Sequence, residues 1–147
     1  MLETYARPGE PNAGIWKEIV LPRIHHEFGG LCFGEAKRHI PFEIARFFFI
    51  FDIPSHATRG SHAHKSISQV IFALRGSFSI DLENGQEHEQ VRLEHPERGL
   101  LVGPMVWKGI SDYEDGSVCL VMASGFYDEN EYLRDRSDWV AELEGGR

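Results

Sequence analysis

The chain has 147 residues, enough for one compact domain with a full core and too few for two. A formal net charge of -8, with acidic residues spread along the chain, excludes the basic stripe of a nucleic-acid surface. No apolar run reaches the ~20 residues that span a bilayer, and MLETYARPGE at the start lacks the basic-then-apolar order of a secretory signal. Those features predict a cytoplasmic protein. Its two cysteines, Cys32 and Cys119, are expected to be reduced core thiols, being too few for a disulfide framework.

The apolar segments are short, rich in β-branched and aromatic residues, and punctuated by Gly, Pro, Asn and Asp, which predicts strands. RFFFIFDI, residues 46–53, is a continuous apolar run, the mark of a strand buried on both faces. RGSHAHKSISQ, residues 59–69, places two histidines two apart, so on a strand His62 and His64 share one face. QVIFALRGSFSIDL, residues 69–82, ends with Phe78, Ile80 and Leu82 alternating with Ser77, Ser79 and Asp81, giving one packed and one polar face. Asn84-Gly85 predicts a tight hairpin, with QEHEQVRL as the returning strand. GLLVGPMVW, residues 99–107, and SVCLVMAS, residues 117–124, add strands, with Pro104 marking a break or edge. Many short strands with frequent turns predict a sandwich or barrel over about residues 15–124. In the tail, about residues 128–145, Trp139, Val140 and Leu143 fall at helical spacing after a candidate cap at Ser137. One or two short helices are expected there, packed outside the barrel.

The histidine pair poses a choice between holding a metal and moving a proton. A His-x-His pair on a barrel strand suggests a cupin, whose usual metal set adds a nearby Glu and a later His. Here Gln69 stands at the acidic position, and an amide is a poorer ligand than a carboxylate for Fe, Mn or Zn. GLLVGPMVWKGI contains no histidine and offers Trp107 and Lys108 instead. Proton transfer suits the residues better, because imidazole titrates near neutrality and can both take and return a proton. A purely structural pair is the plain alternative. The other six histidines, at 25, 26, 39, 56, 88 and 95, read as surface residues. Arg46, Arg59 and Lys65 lie beside the pair, and guanidinium groups suit phosphate oxygens. The same cations could instead pair with Glu43, Asp52 or Asp81.

Several segments together resemble the WxcM-like, sugar 3,4-ketoisomerase family, small cupins acting on dTDP-4-keto-6-deoxy-D-glucose. The resemblance runs from about Leu21 to Trp139. It rests on Arg59-Gly60-x-His62-Ala63-His64-Lys65 with Gln69, on Gly103-Pro104-x-x-Trp107, and on Ala123-Ser124 followed by Tyr127-Asp128-Glu129 and Tyr132-x-Arg134. It implies a mainly β, single-domain cupin of jelly-roll form with short C-terminal helices, working as a homodimer without metal or other cofactor. It further implies His64 as main base and His62 as its partner, with Arg59, Lys65, Arg46, Gln69 and Trp107 contacting a dTDP-linked keto-deoxy sugar. The product would lead toward a 3-amino-3,6-dideoxy sugar for a surface polysaccharide or a glycosylated natural product. One departure stands out: Phe47, Phe48 and Phe49 occupy a strand where members often carry tyrosines, so that strand offers no phenolic hydroxyl. The competing expectations are a nucleotide-sugar epimerase or metal-dependent cupin on the same scaffold, and a non-catalytic sugar-nucleotide-binding module.

Overall fold

The computed structural model describes residues 11–54 and 56–145; the N-terminal stretch read above for a secretory signal lies outside them. Its strands are β1 (Trp16–Val20), β2 (Arg23–His26), β3 (Gly29–Cys32), β4 (Arg46–Ile50), β5 (Arg59–His64) and β6 (Gln69–Arg75), then β7 (Phe78–Glu83), β8 (His88–Leu93), β9 (Arg98–Val102), β10 (Trp107–Ser111), β11 (Val118–Ala123) and β12 (Tyr132–Leu133). A 3-10 turn (Glu129–Glu131) precedes β12, and one helix, α1 (Arg136–Gly145), ends the described chain.

Two five-stranded antiparallel sheets form the body, in the orders β1-β9-β6-β11-β4 and β12-β5-β10-β7-β8. From β4 to β11 the chain crosses between the sheets at every connection except the β7–β8 hairpin, a jelly-roll order of the mainly β class expected. Between the sheets lies a core in which Ile71, Phe78, Ile80, Leu82, Leu100, Ile110 and Val121 meet, with Phe48 and Ile50 packed against it. The period-2 alternation read in the second half of residues 69–82 is what brings Phe78, Ile80 and Leu82 to this face.

Several expectations need correction. The run at 46–53 is not buried on both faces, because β4 belongs to one layer of a two-sheet sandwich and packs only one face on the core. Phe48 and Ile50 point inward, while Phe47 and Phe49 are 65% and 55% exposed on the outer face. Asn84-Gly85 is not a two-residue turn. Gly85 alone takes positive φ (94°), and the Asn84 carboxamide oxygen accepts from the N–H groups of Gln86 and Glu87, building a four-residue loop. The cap of α1 is Asp135, whose carboxylate accepts from the backbone N–H groups of Ser137 and Asp138 as well as from the Ser137 hydroxyl. Cys119 is buried, and burial pushes its thiol up to about 12, whereas Cys32 is only half-buried on the β2–β3 hairpin and is no core residue. The break at Pro104 is as expected: β9 ends at Val102, and Gly103 passes so close to the Asn12 carbonyl that no side chain fits there.

Candidate active site

Alternation along β5 sends His62 and His64 into the barrel and Ala63 outward, where it is buried among Met105, Leu133 and Trp139. Simple alternation would leave Arg59, three residues before His62, on the other face. The β5–β10 register shifts between Ile110↔Arg59 and Lys108↔His62, an irregularity that accommodates one extra residue in β5. That bulge re-aims Arg59 into the same space. A cavity of about 320 Å³ opens there, lined on different strands by Phe48 and Ile50, by Arg59, Ser61 and His62, by Gln69 and Ile71, by Lys108 and Ile110, and by Tyr132 and Arg134. Its size lies within the usual range of small-molecule sites, ~300–1,000 Å³.

The two imidazoles meet edge to face, with their Nε2 atoms 3.2 Å apart. One Nε2–H must therefore donate to the lone pair of the other. Nδ1 of His64 is buried without a hydrogen-bond partner. Burial holds His62 down at about 3, reinforced by the positive charges of Lys108 and Arg134 and opposed by Glu129. Burial likewise drives His64 far below the usual range, with Lys108, His62, Arg46 and Arg134 adding to it. Both are thus neutral at pH 7 and able to accept a proton. An anionic ligand entering this cation-rich space would raise both and strengthen them as bases.

Lys108 sits opposite His62 on β10, 4% exposed, and burial lowers its ammonium to about 7. Arg134 is anchored by Glu129 through 2.8 and 3.2 Å hydrogen bonds, and the Tyr127 hydroxyl donates to the same carboxylate at 2.5 Å. Tyr132 stacks on both histidines, ring centres 5.0 Å from His62 and 4.6 Å from His64. Its strand is pinned to β5 by the pairing Tyr132↔His64. The Glu131 carboxylate adds to this by accepting from the backbone N–H and hydroxyl of Ser66.

Of the residues singled out from sequence, His62, His64, Arg59 and Gln69 come together. Arg46 stands behind the wall, its guanidinium donating to the Gly125 carbonyl and, at 3.4 Å, to the Tyr132 hydroxyl. Lys65 and Trp107 do not join the site. Lys65 follows His64 and so faces outward by alternation, beside Leu133 and Asp138. Trp107 precedes inward Lys108 and packs instead on Trp139 of α1, rings 5.6 Å apart. Among the described residues, none of Arg46, Arg59 and Lys65 forms an ion pair, so the carboxylates considered as their partners play no such part. No group of three or more His, Cys, Asp or Glu side chains among them could hold a metal ion. Sequence reasoning left out Lys108, Tyr132 and Arg134 as site residues; alternation from the outward Trp107 was the signal available for Lys108.

A family model described as FdtA, WxcM-like, C-terminal matches residues 16–144. A curated protein, the TDP-4-oxo-6-deoxy-alpha-D-glucose-3,4-oxoisomerase of Aneurinibacillus thermoaerophilus, is 39% identical over 118 residues, covering 80% of this chain and 85% of its own length. Among solved structures, a mutant of the 3,4-ketoisomerase QdtA from Thermoanaerobacterium thermosaccharolyticum, in complex with TDP-4-keto-6-deoxyglucose, superposes with a TM-score of 0.86 at 35% identity. That match spans 88% of this chain and 94% of the other. The TDP-quinovose 3,4-ketoisomerase WlaRB of Campylobacter jejuni matches with a TM-score of 0.83 at 35% identity, over 86% and 97% of the two chains.

Proposed function

The chain belongs to the FdtA, WxcM-like C-terminal family, and from that premise we propose that it converts dTDP-4-keto-6-deoxy-D-glucose to a 3-keto isomer. It is an isomerase, and the observation that carries its chemistry is the pair of neutral, touching imidazoles in a cavity walled by cations. The ketone at C4 acidifies the proton on C3. His64, with His62 sharing its proton, takes that proton to give an enediol; the same pair returns a proton to C4, leaving the carbonyl at C3. Arg59 and Arg134 face the cavity where a diphosphate can reach them, and Lys108 lies opposite the histidines, placed to offset negative charge developing on the sugar oxygens. Gln69, 3% exposed on the same wall, is a neutral hydrogen-bonding contact for the sugar.

The reading takes the chain as one domain, the barrel carrying the site and the tail bracing its outer face. It also takes the protein as a cytoplasmic homodimer serving the synthesis of a 3-amino-3,6-dideoxy sugar for a polysaccharide or glycosylated product. Support for the dimer comes from the outer face of β4. There Phe47 and Phe49 stand exposed beside Met122 and Leu120 of β11, on a strand that pairs on one side only among the described residues. For location, no helix among the described residues is long and apolar enough to cross a membrane.

The test is NMR of the purified protein with dTDP-4-keto-6-deoxy-D-glucose in deuterium oxide. A 3-keto sugar carrying deuterium at C4 is expected, and its configuration there names the product. Binding of dTDP with no exchange and no product would move the protein to the binding modules. Epimerised product without ketone migration would make it an epimerase.

A further inference from the structure

We infer that Glu131 is a positioning residue, its carboxylate fixing the cavity-facing residues of β12 and the segment after it against the histidine pair; this rests on the ketoisomerase reading above. Two walls of the cavity are joined by little backbone. β12 has two residues and pairs with β5 alone, through Tyr132↔His64 and Leu133↔Ala63. So short a ladder at a sheet edge frays unless side chains hold it. Its place nevertheless decides how the site is enclosed, because the Tyr132 ring lies on both imidazoles and Arg134 lines the cavity beside them.

Leu133 anchors the outer side of the strand, packed with Ala63, Met105 and Trp139. The start of the strand is held by Glu131. Its carbonyl accepts from the N–H of Lys65, the residue after His64, at 2.9 Å. Its two carboxylate oxygens divide between the backbone N–H of Ser66, at 2.8 Å, and the Ser66 hydroxyl. Three hydrogen bonds thus tie the last residue of the 3-10 turn to the two residues that follow His64, and bonds to an ionised oxygen are the stronger kind. Among the described residues Glu131 forms no ion pair, so its carboxylate is committed to this turn.

The effect reaches the histidines through water. Burial is the largest cause holding both imidazoles neutral, and the charges acting on them come from several sides: Lys108 from β10, Arg46 from β4, and Arg134 and Glu129 from the segments flanking β12. With the start of β12 loose, Tyr132 lifts from the imidazoles and water enters, so their pKa values rise toward ~6.5. A base protonated in mild acid cannot accept the C3 proton. The Glu131–Ser66 clamp therefore keeps the pair in its accepting form below neutral pH.

Two variants test this. Glu131→Ala removes the carboxylate, whereas Glu131→Gln keeps a group that can accept from the Ser66 N–H and donate to its hydroxyl. Each is compared with wild type by NMR titration of the imidazoles in the free protein, and by kcat/KM per folded molecule from about pH 5 to 8. In wild type neither histidine is expected to titrate in that range. In Glu131→Ala both should titrate nearer ~6.5, and kcat/KM at about pH 8 should fall at least ~10-fold because the cavity groups are misplaced. An acid limb should also appear, activity falling as pH drops through the raised values. Lys108, held at about 7, produces the opposite limb, a fall as pH rises. Glu131→Gln should leave the imidazoles silent and kcat/KM within ~3-fold of wild type. Unchanged imidazoles and kcat/KM in Glu131→Ala overturn the assignment. So does a lower urea midpoint alone, which would make the contact merely structural, and so does a Gln variant as impaired as Ala, which would assign the effect to charge. If wild type does not turn over the keto sugar, the ketoisomerase reading falls, while the imidazole titration still decides whether Glu131 holds the pair neutral.

Discussion

His62 and His64 are neutral for a physical reason that has consequences beyond catalysis: burial strips a charged imidazole of water, and Lys108 and Arg134 add repulsion. Replacing His64 with Asn keeps a polar group of similar size but removes the base. We expect at least a ~10²-fold loss of turnover, with dTDP affinity within ~3-fold by calorimetry. Arg59→Ala should act on binding instead. Losing one charged hydrogen bond costs ~1.5–3 kcal/mol, or ~10- to 150-fold in Kd for dTDP, and an unchanged Kd would assign Arg59 to the sugar or to structure. The pH dependence of stability follows from His62, whose value of about 3 in the folded protein compares with ~6.5 in an unfolded chain. Between those values the unfolded state binds more protons. Stability from this residue is therefore complete above about pH 6.5 and is lost as pH falls toward 3. His62→Asn should flatten the decline of the urea midpoint between pH 6.5 and 4; equal declines in both proteins would show that His62 titrates alike in both states.

At the scale of the elements, β5 owes its role to two features of different origin. His-x-His spacing is a property of any strand, which is why these two residues were readable from sequence. The bulge that turns Arg59 inward arises from pairing with β10 and has no local signature in RGSHAH. The same division separates Trp107 from Lys108. One tryptophan beside one lysine says only that they face opposite ways; the direction was set by α1, which covers the outer face of β10 and takes Trp107 as its partner. Trp139 anchors that helix, 1% exposed, with its indole N–H donating to the Met105 carbonyl at 2.9 Å. Trp139→Ala should destabilise the protein by ~3–5 kcal/mol in urea unfolding. Because α1 lies outside the barrel, kcat per folded molecule should stay within ~2-fold. A large loss of kcat with little loss of stability would instead tie the helix to the cavity.

For the whole molecule, the surface of the β4 sheet matters most. Apolar side chains on an exposed edge strand invite pairing with another chain unless something covers them. On the dimer reading, Phe47→Asp combined with Phe49→Asp should convert a species of twice the chain mass into a monomer in sedimentation velocity, with the jelly-roll circular dichroism preserved. An unchanged mass would place the interface elsewhere. Strand content, the histidine pair and the family resemblance were all determined by the sequence alone, because they depend on near neighbours: alternation, turn residues, and motifs a few residues long. Tertiary structure alone decided that β4 lies at an edge and that Lys65 and Trp107 face away. It also brought Lys108, Tyr132 and Arg134 from β10, β12 and the segment after β12 to two histidines on β5. Those outcomes depend on which strands pair and in what register, and pairing joins residues tens of positions apart that carry no local mark of each other.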